Sequence, residues 1–375
     1  MEILFKIIRY VLSTYLILTV AINVSGQSHP EYTITKQVKT TPVKDQNQTS
    51  TCWSFATISF IETEAIRMGK PVFDLSEMYI TKFAYEDKAI KYIRYQGKAN
   101  FGQGGQAHDV FNQIVKHGIV PEEVYTGLQY GTNYHNHNEL SNALELQLKG
   151  IFDTKINKPT TAWIPSGLAS FNAILETYLG STPKEFSFQA KTYNPLKFAK
   201  ETVGINPDDY VELTSYKIYP YYKLIDLEIP DNWSHNLYYN VTISDIIAIM
   251  DNALNNGYSV DWDGDVSEEG FKHSDGKAVL SAKDSSGILT DGIEKYRQLT
   301  FDNQTTTDDH LMHITGIAKD KNGGTFYLTK NSWGDNSNKF GGYLYMSSGF
   351  VQLKTIAILV HKDAIPKEIQ KKLGI

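Results

Sequence analysis

The chain has 375 residues, 41% of them hydrophobic and 21% charged, with a formal net charge of −6. Those proportions exclude a disordered, collagenous or coiled-coil chain, and the lack of any Lys/Arg block argues against nucleic acid as a partner. A single cysteine, Cys52, excludes a disulfide framework, a cysteine-rich zinc site and a Cys-x-x-Cys redox pair.

Lys6 and Arg9 precede an uncharged run from Val11 to Val24. A basic start followed by a short apolar stretch is the pattern of a secretory signal peptide, and it is too short to span a bilayer comfortably. Val24-Ser25-Gly26 places the expected cut after Gly26; Gln27 follows, so no lipid anchor forms at that cut. The expected organisation is a signal peptide over 1–26 and one exported domain over 27–375, with no membrane contact after cleavage. That length buries enough surface to stand without disulfides.

Strand propensity at Tyr32–Thr35 is followed by a helix over 52–68, where Phe55, Ile58, Ile61 and Ala65 recur at helical spacing. Thr49, Ser50 or Thr51 can cap it, and Gly69 with Pro71 ends it. Further helices are expected from Gln106 to Lys116, from Asn138 to Lys149 and from Ser244 to Asn255. Strands are expected at Tyr210–Ile218, Tyr221–Ile229, Tyr258–Trp262, His310–Ala318, Thr325–Thr329, Gly342–Met346 and Thr355–Val360. Helices come first and strands last, which favours α+β over a doubly wound sheet.

Cys52 falls in the first turn of its helix, where the positive end of the dipole favours thiolate. A buried structural thiol is the bland alternative. The strands downstream weigh against it. His310 opens one strand, Asn322-Gly323-Gly324 signals a turn, and the returning strand leads to Asn331. In such a hairpin His310 and Asn331 lie roughly opposite. An Asn side chain can then orient the imidazole while its other nitrogen faces a nucleophile. His313 competes with His310 but points to the other face of the strand.

Together, Gln46, Cys52-Trp53-Ser54-Phe55, Asp309-His310 and Asn331-Ser332-Trp333-Gly334 resemble the papain superfamily of cysteine peptidases. His310 stands six residues before Gly316, as that pattern asks. The 258 residues from Cys52 to His310 exceed the roughly 130–150 of ordinary members, so a large insertion is expected, at about 125–300. Asp74-Leu75-Ser76-Glu77, Gly104-Gly105-Gln106, His117-Gly118-Ile119-Val120-Pro121, Tyr193–Phe198 and Arg297–Phe301 follow in an order similar to that of bleomycin hydrolases and bacterial aminopeptidase C.

The resemblance implies a two-lobed fold, a helical lobe beside a β-barrel-like one, and peptide or protein substrates cut without metal or organic cofactor. It implies Cys52 as nucleophile, His310 as acid and base, Asn331 as its orienter, and Gln46 as an oxyanion donor beside the Cys52 N–H. Gly104 and Gly105 would meet the substrate backbone, and Trp333 would shield the His310–Asn331 bond. It further implies an aminopeptidase, with the chain's own C-terminus in the cleft and six subunits in a ring. An endopeptidase and a catalytically silent peptide-binding module on the same fold are the rivals. Two other motifs are set aside. His135-Asn136-His137 reads as a solvated loop, and Asp261, Asp263 and Asp265 fail as a calcium loop because Lys272 occupies the twelfth position. The Asn47-Gln48-Thr49 sequon inside the proposed oxyanion loop favours a bacterial exporter, periplasmic or secreted.

Overall fold

The computed structural model describes residues 31–153 and 163–375; the expected signal peptide lies outside them. The first strand is β1 (Tyr32–Gln37). Helix α1 (Cys52–Arg67) follows a loop that carries Gln46. Its cap residue is Thr51, which makes no side-chain cap bond. Helix α2 (Glu77–Arg94) starts at Ser76, whose Oγ accepts from the Tyr79 N–H at 3.1 Å. The sequence reading lacks α2 because its buried positions include Glu77, Lys82 and Lys88, which interrupt any apolar stripe.

Helix α3 (Ala107–His117) opens on a reciprocal capping box between Gln106 and Asp109. It closes at Gly118, φ +77°, where a Cβ would overlap the Pro195 backbone. Helices α4 (Asn138–Asp153) and α5 (Trp163–Leu179) flank this group, and a small hairpin, β2 (Phe186–Phe188) with β3 (Lys191–Tyr193), closes it.

The remaining strands are β4 (Tyr210–Thr214), β5 (Lys223–Asp226), β6 (Leu237–Asn240), β7 (Val260–Gly264), β8 (Phe271–Lys272), β9 (Lys277–Ala278), β10 (His310–Asp320), β11 (Thr325–Lys330), β12 (Tyr343–Ser347) and β13 (Thr355–His361). Strand β4 is shorter than the sequence suggests. The Asn240 side chain takes over both backbone groups of Tyr216, at 2.9 Å each, and ends the ladder. The helices among these strands are α6 (Ile243–Asn255), α7 (Ala282–Asp291), α8 (Ile293–Asp302), α9 (Ser348–Lys354) and α10 (Lys367–Leu373).

One mixed sheet runs β5-β6-β4-β13-β7-β10-β11-β12-β9-β8, with β1 added on β10. Helices beside a large mixed sheet make the fold α+β. The stretch 125–300 supplies β7, which lies between β13 and β10. Strand β10 is the spine: β7 and β1 share one edge and β11 takes the other. Strand alternation divides its side chains. Leu311 joins the helical core cluster with Phe60 and Ile61 of α1. Met312 and Ile314 join a second cluster with Trp262, Ile246, Ile249 and Met250 on the α6 side. Helices α1 and α6 therefore cover opposite faces.

The C-terminal tail belongs to the α6 face. Ile369 and Leu373 are buried in its cluster, the Asn252 side chain donates to the Ala364 carbonyl at 2.7 Å, and Lys372 Nζ reaches Tyr222 Oη at 3.1 Å.

Candidate active site

The fold brings Cys52 to β10. The Leu311 backbone amide, one residue past His310, lies near the Cys52 sulfur and acts to favour the thiolate. Cys52 is 7% exposed. Burial pushes its thiol up to about 12, and the charges of Asp231, Asp263 and Asp308 push the same way. Desolvation and nearby carboxylates thus oppose the helix-terminus effect expected to favour thiolate.

His310 is also buried, and Nε2 lies 2.7 Å from Asn331 Oδ1. That oxygen accepts from the Ser332 N–H as well, while Asn331 Nδ2 faces His273 Nδ1 at 3.2 Å. An amide oxygen only accepts, so His310 Nε2 carries the proton and Nδ1 is the acceptor. Burial holds the imidazole down at about 4, against the Asn331 hydrogen bond. Burial therefore acts against charge on both the thiol and the imidazole. The Trp333 ring lies 4.9 Å from the His310 ring, tilted by 35°, and packs on His273 at 4.7 Å. His273 precedes Asn331 by 58 residues, and no sequence motif marks it.

Gln46 is tied down at three points. Its N–H donates to the Ser332 carbonyl at 2.8 Å, its Oε1 accepts from Ser332 Oγ at 2.6 Å, and its Nε2 donates to the Thr49 carbonyl at 2.7 Å. The second Nε2 hydrogen remains to donate.

The His135-Asn136-His137 segment corrects the sequence reading, which took it as solvated. His135 is 9% exposed and His137 fully buried. The Gln48 N–H donates to the His135 carbonyl at 3.0 Å, and the His137 N–H donates to the Gln48 carbonyl at 3.1 Å. Burial pushes the two imidazoles down to about 4 and about 3. They are neutral props under the loop that holds Gln46.

His313 points away from His310, into the α1 face. Its Nδ1 lies 2.9 Å from Ser59 Oγ, and Phe60 packs on its ring. Gly105 sits against Trp53, where a Cβ would approach the indole to 2.9 Å. Gly104 gives its carbonyl to Lys88 and leaves no room for a Cβ beside the Asp231 carboxylate. Among the described residues no group of three His, Cys, Asp or Glu could hold a metal ion.

A helix laid against a mixed sheet, with a cysteine at its start and a bonded His–Asn pair on the strands, defines a papain-like cysteine peptidase. The model of the Peptidase C1-like family matches residues 80–374, and the chain belongs to that family. Within it the chain falls in the bleomycin hydrolase and aminopeptidase C branch. It is 24% identical to aminopeptidase C of Lactococcus lactis subsp. cremoris over 364 residues, covering 87% of this chain and 82% of that one. Aminopeptidase W of Lactobacillus delbrueckii subsp. lactis is 22% identical, with 94% of this chain and 88% of that one covered. In structure the chain is similar to PepW of Lactobacillus rhamnosis HN001, with a TM-score of 0.74 at 22% identity, over 91% of this chain and 84% of that one. That last likeness is one of fold.

Proposed function

We propose that the chain is an exported aminopeptidase that cleaves peptides at Cys52. As the sulfur attacks the substrate carbonyl carbon, its proton passes to His310 Nδ1. The resulting oxyanion accepts from the Cys52 N–H and from the free Nε2 hydrogen of Gln46. Collapse of the intermediate breaks the C–N bond, and the amine leaves with the proton from His310. A water deprotonated by His310 then hydrolyses the thioester and restores the thiol. No metal or organic cofactor enters these steps.

The observation that carries this reading is the 2.7 Å bond between His310 Nε2 and Asn331 Oδ1, which leaves Nδ1 as the acceptor one residue before Leu311, whose amide lies near the Cys52 sulfur. Export is supported by Lys6 and Arg9 before the uncharged run, and N-terminal sequencing of the mature protein tests it: Gln27 is the expected first residue. Assembly into a hexamer follows from family resemblance alone, and light scattering tests it.

Activity is tested with fluorogenic aminoacyl substrates, free and N-blocked, under reducing conditions. Cys52→Ala is expected to lose about 10^4-fold or more of kcat/KM. Turnover of free but not blocked substrates supports an aminopeptidase. Cleavage of blocked peptides would establish an endopeptidase instead. Absence of any Cys52-dependent turnover would overturn both.

A further inference from the structure

The loop from Asn100 to Gln106 runs between carboxylates. At one end the Asn100 side chain donates to Asp231 Oδ1 at 3.0 Å, and Asp231 lies over Gly104. At the other end Gln106 Nε2 donates to Asp308 Oδ2 at 2.9 Å. The middle of the loop is pinned beside the nucleophile, because Trp53 Nε1 donates to the Gln103 carbonyl at 2.9 Å. A third carboxylate completes the group. Asp263 lies on the α1 face of β7, is 3% exposed, and neither of its oxygens has a hydrogen-bond partner. It faces Asp308.

These carboxylates are short of cations. Lys88 offsets Asp231 in part, and it also serves Asp109. Among the described residues no ion pair reaches Asp231, Asp263 or Asp308. Two carboxyls that face each other without a cation must share a proton or await a positive ligand. Asp308 accordingly is pushed up to about 7, by burial first and by Asp231 next. Space for a ligand is present: a cavity of about 430 Å³ is lined by Pro230, Asp308, Thr307 and Phe301, among others. Asp231 and Asp308 are both partly exposed.

We propose that Asp231, Asp263 and Asp308 form the anchor for the α-ammonium group of the peptide substrate, and so confine cleavage to chains with a free N-terminus. The inference rests on, and deepens, the aminopeptidase reading. Position favours an α-ammonium over a lysine side chain. Asp308 stands two residues before His310, and Asp231 touches the loop that packs on Trp53, the residue after Cys52. All three carboxylates are close enough to act on the Cys52 thiol. Helix α10 docks on the other face of the sheet.

The test uses the Cys52→Ala protein, which separates binding from turnover. Calorimetry compares Leu-Gly-Gly with its N-acetyl form. The free peptide is expected to bind about tenfold tighter or more, as a hydrogen-bonded charge warrants. Asp231→Asn and Asp308→Asn should each erase that preference while leaving the acetylated peptide's affinity unchanged, and Asp231→Glu should restore it. A preference that survives both Asn substitutions overturns the proposal, as does equal binding of the two peptides by the parent. If an N-acetylated peptide beginning with Lys binds as well as the free peptide, and loses that binding in Asp231→Asn, the anchor takes a side-chain ammonium and the α-ammonium assignment fails. A clear N-terminal preference in a protein whose unsubstituted form turns nothing over would refute the aminopeptidase reading and leave the anchor standing.

Discussion

The two faces of the central sheet are covered by one helix each, and they are built on opposite principles. Against α6 the sheet presents Met312, Ile314, Trp262, Ile358 and Val360, and the helix answers with Ile246, Ile249, Met250 and Ala253. Against α1 it presents His313, Asp261 and Lys330 among its apolar residues. Thr57 Oγ1 donates to Asp261 at 2.6 Å, and Lys330 Nζ donates to Ser59 at 2.7 Å and Thr41 at 3.1 Å. Glu62, 1% exposed, accepts from Thr41 at 2.5 Å and from the Leu75 N–H at 2.8 Å. Lys44 joins this network through Glu77 at 2.7 Å. Apolar packing tolerates small slips, whereas a buried hydrogen-bonded network admits one arrangement. The network lies on the face that must hold Gln46 and Cys52 in register.

That contrast can be broken by substitution. The largest stability loss is expected from Glu62→Ala, which takes the acceptor from the Thr41 hydroxyl and the Leu75 N–H and one carboxylate from Lys44. Removing one partner from a buried ionic network costs about 3 to 5 kcal/mol, readable by denaturant melts. Ile249→Ala on the other face should cost about 2 to 5 kcal/mol through its cavity. Its activity per titrated thiol should stay at the parent value, and a fall there would mean that the α6 face also positions the site. Asn331→Ala is expected to do the reverse. It should lose about 10²-fold in kcat/KM by freeing the His310 ring, with a smaller change in melting temperature.

The smallest effect is in pH dependence. Burial raises the Asp261 carboxyl from 3.8 to about 8. The folded state therefore holds a proton that the unfolded chain has lost between those values, and the stability this residue contributes falls as pH rises through that window. Asp261→Asn should gain stability relative to the parent between pH 5 and pH 8, measured as a difference in melting temperature. A flat difference would mean that Asp261 is ionised in the fold.

Cys52, His310 and Asn331 were legible in the sequence because each sits at a punctuation mark: a helix start, a strand start and the end of a hairpin. The glycine pair and Gln46 were expected from resemblance; Gln46 is held by Ser332 and Thr49, and Lys88 occupies the Gly104 carbonyl. His135 and His137 were misread because local polarity suggested solvent. Their burial comes from long-range packing on Gln48, Phe55 and Tyr85.

The alternation Asp261-Trp262-Asp263 was visible as a pattern but was weighed only as a calcium loop. Its period of two is that of a strand with acids on one face. Local spacing and side-chain type placed four of the helices, eight of the strands and the side chains proposed for nucleophilic chemistry. The protonation states at the site were decided only by the tertiary structure. So were the partners of Asn331, the gathering of Asp231, Asp263 and Asp308 from three separate segments, and the docking of the tail on α6. Burial and long-range charge set these features, and neither is a property of any short stretch of chain.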